Sequence, residues 1–345
     1  MNTRLHTWTW VAWLIVTLIA LSATRNLFYL TLILGCLLVN YFILEASFQK
    51  GAYPLSLLRF GLMICGFSTL FNLLISHNGA TVLFSLPQAW PLIGGSYTLE
   101  AAVYGLTNGL VLFGILLVFT IFSQVLPVRR LIQLIPRVFF PVAVVTSIAV
   151  TFVPTTIRQF HQIKEAQLIR GQRLKSLGDW LPLIVPLLVG GLERALQLSE
   201  AMTSRGFASS SPASGKQSSR LVMVSGLLIA TTGWIIHSWS GKESLGLGLI
   251  FSGLLLLLGA LWWMGRQIPH TNYTREVWQT GDGMVLLGSG VLVLVLLFSF
   301  AGLTNPGSLY YSAYPVLQWP DFDPWIGLAL LALSLPAYIM SLGKK

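Results

Sequence analysis

Two short segments of the sequence place an arginine before a glycine in the same local pattern. KEAQLIRGQ begins at Lys164 and SEAMTSRGF begins at Ser199, and each contains Glu-Ala, three further residues and Arg-Gly. Arginine carries a permanent charge on a rigid fork of N–H donors, which suits a carboxylate on a partner. The two copies, 35 residues apart, therefore predict two similar contacts with partner subunits.

Each motif also has the residue types of a helix C-terminus. Gly171 and Gly206 would follow the last helical residue, where glycine tolerates a left-handed backbone. Arg170 and Arg205 would lie in the final turn, near the negative end of the helix dipole. Capping alone accounts for either motif. Each glutamate, however, precedes its arginine by five positions, a spacing that does not form an ion pair within a helix. The repetition therefore favours recognition of a partner.

The chain lacks the residue sets of common catalytic and metal sites. It has no GxxxxGK[ST] phosphate loop, no nucleophile elbow and no paired carboxylates. Its five histidines are scattered with no second ligand at helical spacing, and Cys36 and Cys65 lie inside apolar runs. We expect no enzymatic activity, no cofactor and no resident metal. If ATP powers this protein, another chain must hydrolyse it.

The composition is that of a membrane protein. Of 345 residues, 54% are hydrophobic and 9% are charged, whereas soluble domains have roughly 25% charged residues. A helix needs about 20 apolar residues to cross a bilayer. Runs near this length predict an all-α polytopic membrane protein with about eight transmembrane helices, at roughly 9–24, 27–45, 60–76, 100–123, 221–239, 245–265, 284–302 and 325–342.

The basic residues predict the orientation of these spans. With both termini in the cytoplasm, only Arg25 and Lys242 of the 21 lysines and arginines lie outside. The formal charge of +10 is then explained by cytoplasmic loops, so we expect no nucleic-acid partner. Glu100 and Asp282 lie near span ends, where snorkelling or solvation at the interface is the ordinary expectation. No predicted span has a charge at its centre, which argues against an ion-driven carrier.

The predicted organisation has four parts: transmembrane helices in 1–123, a cytoplasmic layer of amphipathic coupling helices in 124–207, a flexible linker in 208–219 and transmembrane helices in 220–345. In this layer, the apolar proline-containing segments 139–154 and 180–192 are expected to be buried or interfacial helices. An amphipathic helix is expected at about 155–170. A stripe along the next helix contains Leu188, Leu192, Ala195, Ser199 and Met202, while its other side contains Glu193, Arg194, Gln197 and Glu200.

The two motifs resemble the signatures of the transmembrane (T) component of energy-coupling factor (ECF) transporters, a CbiQ-like family within the ATP-binding cassette (ABC) superfamily. Ile169-Arg170-Gly171 and Ser204-Arg205-Gly206 correspond to the two Ala-Arg-Gly-like signatures at the ends of that family's coupling helices. The supporting positions are Glu165, Ala166, Glu200, Ala201 and Met202. The resemblance covers about 50–207. Isoleucine and serine replace the usual alanines, and about 140 residues with some four spans follow the second signature.

This resemblance implies a function that requires partners. Each arginine would dock into a groove of one of two cytoplasmic ABC ATPase subunits, and a separate membrane S component would capture a vitamin, metal or other solute. The chain would be a coupling scaffold in the plasma membrane of a prokaryote, surrounded by lipid. Two alternatives remain: a stand-alone channel or secondary carrier, or a membrane enzyme acting on lipid-linked substrates. The substrate cannot be inferred from this chain.

Overall fold

The computed structural model describes most of the chain and is almost entirely helical. It describes residues 5–48, 54–76, 79–86, 95–171, 177–207, 216–239, 243–266, 276–300 and 309–342 apart from 310, 312, 315, 316 and 318. The helices are α1 (Thr7–Ala23), α2 (Leu27–Phe48), α3 (Pro54–Ile75), α4 (Leu99–Val125), α5 (Val128–Gln133), α6 (Phe140–Ile169), α7 (Leu181–Ser204), α8 (Lys216–Trp239), α9 (Glu243–Arg266), α10 (Thr280–Phe300), α11 (Pro324–Leu331) and α12 (Leu335–Leu342). The strands β1 (Val82–Leu86) and β2 (Gly95–Thr98) form an antiparallel pair before α4.

Nine helical segments of the described residues are long and apolar enough to cross a membrane. They comprise α2, α3, α4, α6, α7, α8, α9, α10 and the combined segment of α11 and α12; α1 is a shorter apolar helix. The prediction of an all-helical, multi-pass membrane protein is therefore confirmed. The eight predicted spans coincide with α1 to α4 and α8 to α12. The additional pair, α6 and α7, contains both arginine motifs, and its location outside the bilayer stays a prediction.

The chain forms two compact units, and the second is inserted between the two parts of the first. Residues 1–127 and 274–345 make up one unit, and residues 128–273 make up the other. Of the C-terminal segment 220–345, α8 and α9 lie in the same unit as α6 and α7, whereas α10 to α12 lie in the same unit as the N-terminal helices. Residues 208–215 of the predicted linker lie outside the described residues, and residues 216–219 begin α8.

The first unit has its core where α1 and α2 pack against α4 and α10 to α12. Its largest fully buried side chains include Trp10, Trp13, Tyr29 and Tyr41. One buried amide, Asn40 of α2, replaces a helical hydrogen bond between α11 and α12. Its Nδ2 donates to the carbonyl of Leu333 at 2.9 Å, and its Oδ1 accepts from the N–H of Ala337 at 3.0 Å. The helix can therefore be interrupted in an apolar core without leaving these two backbone groups unpaired.

Glycines allow close contact between α3 and α4. A Cβ on Gly105 would lie 2.8 Å from the Cα of Thr69, and one on Gly109 would lie 2.8 Å from the Cα of Cys65. The hydroxyl of Ser68 also donates to the carbonyl of Gly105 at 2.8 Å. Spacing of this GxxxG kind arises often by chance, but here both glycines lie at a helix contact, as in membrane helix pairs generally.

The expectation that Glu100 and Asp282 are solvated at an interface is wrong. Both residues are fully buried in the first unit. Glu100 Oε1 accepts from the N–H of Thr81 at 3.0 Å. Asp282 accepts from the N–H groups of His6 and Gln279 and from the hydroxyl of Thr9. Each carboxylate is placed near the start of a helix, where N–H and hydroxyl donors replace water around all of Asp282 but only around Oε1 of Glu100. Oε2 of Glu100 is buried without a hydrogen-bond partner among the described residues.

In the second unit, α8 and α9 form a tightly packed helical hairpin. Four glycines lie at the contact, and a Cβ on any of them would come within 3.1 Å of the opposite helix: Gly226, Gly233, Gly246 and Gly253. Small residues at such positions allow helix backbones to approach closely, which is the common way for membrane helices to associate.

The boundary expected between the segment 139–154 and the helix at about 155–170 is wrong. α6 is one helix of 30 residues with Pro154 inside it, and α7 is one helix of 24 residues with Pro186 inside it. A proline removes one N–H and strains the preceding turn, but it need not end a helix. Pro141 and Pro182 instead lie in the first turns of these helices, where a backbone N–H would have no acceptor within the helix.

Candidate functional site

The two arginine motifs lie at the ends of an antiparallel helical hairpin formed by α6 and α7. Gln167 near the end of α6 donates to the carbonyl of Pro182 near the start of α7, at 3.4 Å. At the opposite end, the rings of Phe140 and Phe207 are 6.2 Å apart. Residue numbers therefore rise along one helix as they fall along the other. The C-termini of the two helices, each followed by its arginine, consequently point in opposite directions.

The first motif ends α6 with a left-handed glycine. Arg170 is the C-cap residue and its N–H donates to the carbonyl of Ala166 at 3.3 Å. Gly171 follows with a φ of +83° and donates to the carbonyl of Leu168 at 3.0 Å. Because residues other than glycine are strained at such a φ, Gly171 fixes where the helix ends. The Arg-Gly order thereby places Arg170 at that end.

The second motif ends α7 in the same way. Arg205 is the C-cap residue, and Gly206 has a φ of +78°. The N–H of Gly206 donates to the carbonyl of Thr203 at 2.9 Å, and the N–H of Phe207 donates to the carbonyl of Met202 at 3.1 Å. This pair of bonds is the Schellman motif of helix termini. Both glycines were thus predicted in their roles, and both arginines stand one residue beyond the final helical turn.

Both arginines are exposed and available for contacts outside the chain. Ile169 is 88% exposed, and Arg170, Gly171, Ser204, Arg205 and Gly206 are all exposed. In the part of the chain that the structure describes, neither guanidinium forms an ion pair or a hydrogen bond. α7 has 24 residues, so at 1.5 Å per residue the two ends of the hairpin are about 36 Å apart. The hairpin therefore presents two separate cationic tips.

The residues predicted to support the motifs divide between surface and packing. Glu165, Ala166, Glu200 and Ala201 are exposed, whereas Met202 is half-buried. Met202 lines a small cleft between the helices together with Ile148, Phe152, Ala195, Ser199 and neighbouring residues. Of the stripe predicted on α7, Ala195, Ser199 and Met202 therefore face α6. Leu188 and Leu192 of the same stripe are each 65% exposed instead.

Arg194 occupies a position that periodicity did not predict. The sequence placed it with Glu193 on the polar side of α7, but its Nη2 donates to Oε1 of Gln159 in α6 at 3.0 Å. Its guanidinium also lies 5.9 Å from the ring centroid of Phe152. One sequence signal pointed to this contact, because Gln159 and Arg194 are 35 residues apart, the same offset that separates the two motifs.

Comparisons with known proteins agree with the resemblance found in the motifs. The family model CbiQ, described as a cobalt transport protein, matches residues 1–217. The chain is 38% identical over 71 residues to the energy-coupling factor transporter transmembrane protein EcfT of Leuconostoc gelidum, covering 19% of this chain and 26% of that protein. It is 29% identical over 195 residues to EcfT of Bacillus subtilis, covering 49% of this chain and 71% of that protein.

A third relative gives a similar extent of likeness. EcfT of Exiguobacterium sibiricum is 27% identical over 205 residues, which are 55% of this chain and 73% of that protein. For the relatives with identities of 33–38%, the chain spans less than half of their length, between 26% and 47%. The region matched by the family model includes α1 to α7 and both arginine motifs. By this match, which covers more than half of its length, the chain belongs to the CbiQ family of transport proteins.

Proposed function

We propose that the chain is the transmembrane coupling subunit of an ECF-type ABC importer. The observation that carries this proposal is the pair of capped, exposed arginines at opposite ends of one helical hairpin. Tips about 36 Å apart cannot enter the same groove. Each arginine therefore needs its own partner surface, and two cytoplasmic ABC ATPase subunits supply two such surfaces.

The mechanism follows from this arrangement. When the two ATPases close on ATP, they draw the tips that they hold, and the hairpin transmits the displacement to the membrane helices. A membrane S component that carries the substrate then tilts or releases it. The chain itself neither hydrolyses ATP nor selects the substrate. It lies in the plasma membrane of a prokaryote, with both termini and the hairpin on the cytoplasmic side.

Co-purification tests the predicted partners. The full chain is expressed in its source organism with an affinity tag and purified in mild detergent, and the associated chains are identified by mass spectrometry. We expect two ABC ATPase subunits and one small hydrophobic membrane protein. Substrate uptake by the purified chain alone in vesicles would favour a channel or carrier and would contradict the proposal.

Arginine variants test the site within that complex. A charge-assisted hydrogen bond contributes about 1.5–3 kcal/mol, so Arg170→Ala or Arg205→Ala should weaken ATPase binding roughly 10- to 100-fold. The double variant should bind the ATPases more weakly than either single variant, because each bound tip holds the other tip near its own partner. Arg158→Ala removes an exposed arginine from the body of α6 and serves as the matched control. Normal ATPase binding and uptake by the double variant would refute the assigned role.

A further inference from the structure

The repeat at the 35-residue offset begins before the two arginine motifs, at Gln162 and Gln197. An offset of 35 residues aligns Glu165 with Glu200 and Gln162 with Gln197, as well as the Arg-Gly pairs. The same offset aligns Gln159 of α6 with Arg194 of α7, and these two residues contact each other directly. Equivalent residues of two antiparallel helices meet only where an approximate two-fold axis passes between the helices. The Gln159–Arg194 contact therefore marks that axis.

The position of this contact is the same relative to both tips. Arg170 follows Gln159 by 11 residues, and Arg205 follows Arg194 by 11 residues. At 1.5 Å per residue, each tip lies about 16 Å along its helix from the contact. A slip of one helix along the other would change the separation of the tips and would end this equivalence.

The surroundings of the contact favour one register. A Cβ on Gly190 would collide with the amide Nε2 of Gln159, so the glycine makes room for that side chain. Arg194 is half-buried, and in the described part of the chain its guanidinium has no carboxylate partner. It depends on the Gln159 oxygen and on the face of the Phe152 ring. A partly buried cation with so few partners loses its hydrogen bond when the helices slip, whereas apolar side chains tolerate a slip well.

We propose that the Gln159–Arg194 pair fixes the register of α6 and α7 and thereby the separation of Arg170 and Arg205. The role given to this register rests on the proposed coupling function. Two ATPase subunits related by two-fold symmetry would present equivalent grooves, and an equally symmetric pair of tips fits them only at one separation. Gln159 and Arg194 are thus positioning residues, because they act through the two arginines at the tips.

The separation of the tips can be measured without any ATPase. Spin labels are attached at Ile169→Cys and Ser204→Cys, two exposed positions also related by the 35-residue offset. The native cysteines Cys36 and Cys65 are both free and are replaced by alanine. Double electron–electron resonance on the full chain in nanodiscs should give one narrow distance distribution for the parent. Because the measurement needs no partner, it tests the register even if the proposed function is wrong.

Three variants decide the role of the pair. Arg194→Met and Gln159→Met each remove one partner, and we expect a second population shifted by about 5.4 Å, one helical turn. The exchanged variant, Gln159→Arg with Arg194→Gln, restores the hydrogen bond across the axis and should restore the narrow distribution. Arg158→Met, an exposed neighbour, should leave the distribution unchanged. Two outcomes would overturn the proposal: an unchanged distribution in both single variants, or an exchanged variant as broad as they are.

The functional consequence is measured on the complex with its ATPases. If the register sets the separation of the tips, Arg194→Met should lower the uptake per ATP hydrolysed while the ATPases remain bound, and the exchanged variant should recover it. A loss of ATPase binding in every variant, the Arg158→Met control included, would contradict the proposed function and leave the distance result intact. Unchanged uptake per ATP in a variant with two register populations would overturn the positioning role.

Discussion

Replacing Asp282 tests whether buried carboxylates join the helices of the first unit. Asp282 is fully buried, and its Oδ1 accepts from the N–H of His6 at 2.7 Å and from the hydroxyl of Thr9 at 2.9 Å. Its Oδ2 accepts from the N–H of Gln279 at 2.8 Å. The side chain of Asp282 therefore attaches the start of α1 to the start of α10, beside a second attachment in which Glu276 accepts from Thr7. The Asp282 attachment links residues that are more than 270 positions apart in the sequence.

The magnitude follows from these three bonds. A hydrogen bond to a charged group contributes about 1.5–3 kcal/mol, and breaking a buried charged contact from one side typically costs about 3–5 kcal/mol. We therefore expect Asp282→Ala to lower the free energy of unfolding by about 3–5 kcal/mol, since three donors lose their acceptor. Asp282→Asn keeps one oxygen and loses the bond on the other side, so a loss of about 1–2 kcal/mol is expected.

Unfolding of the full chain by a titration with sodium dodecyl sulfate measures both values. Asp321→Ala removes an exposed carboxylate from the same unit and is the matched control, with no expected change beyond about 0.5 kcal/mol. If Asp282→Ala unfolded at the same detergent fraction as the parent, the three bonds would contribute nothing. The argument that they replace lost hydration would then be refuted.

Two further predictions concern glycines, each compared with a glycine in open space. Gly109→Leu should separate α3 from α4, because a Cβ there would lie 2.8 Å from the Cα of Cys65. Gly66→Leu is the control, because a Cβ on Gly66 meets nothing within 4 Å. The apparent melting temperature in detergent should fall for Gly109→Leu and stay unchanged for Gly66→Leu. Gly171→Ala also meets nothing within 4 Å, so its expected loss of about 1–2 kcal/mol comes from the φ of +83° alone. The same change at Gly191, inside α7, should stabilise by up to about 1 kcal/mol. Equal effects at Gly171 and Gly191 in thermal unfolding would contradict the assignment of the left-handed cap.

The membrane helices were predictable because their signal is local. The span predicted at 245–265 is α9, Glu243–Arg266, and the span predicted at 100–123 is α4, Leu99–Val125. Continuous apolar runs bounded by polar residues define such helices without reference to the rest of the fold. The Arg-Gly caps were predictable for the same reason, since the cap depends on the backbone preference of a single glycine.

The errors concern features that depend on distant residues. The proline at residue 154 predicts a helix boundary, but α6 continues through it because other contacts of the helix outweigh one lost hydrogen bond. Periodicity gives the direction in which Cβ of Arg194 points, but not the reach of the side chain to Gln159. Asp282 was expected at an interface because its partners, His6 and Thr9, lie at the other end of the chain. No local pattern encodes such a contact.

The C-terminal helices are part of the fold although the family match ends at residue 217. Leu333 accepts from the indole N–H of Trp13 at 3.0 Å and from the amide of Asn40 at 2.9 Å, both in the matched region. Each buried polar group left without a partner costs about 1–3 kcal/mol. A chain ending at residue 217 would leave the indole N–H of Trp13 without this acceptor. It would also remove one acceptor from the Asn40 amide, which also donates to the carbonyl of Cys36 at 2.8 Å, and the Asp321 carbonyl to which Asn26 donates at 2.7 Å. Residues 274–345 therefore complete the core that the N-terminal helices begin, rather than forming an appendage to it.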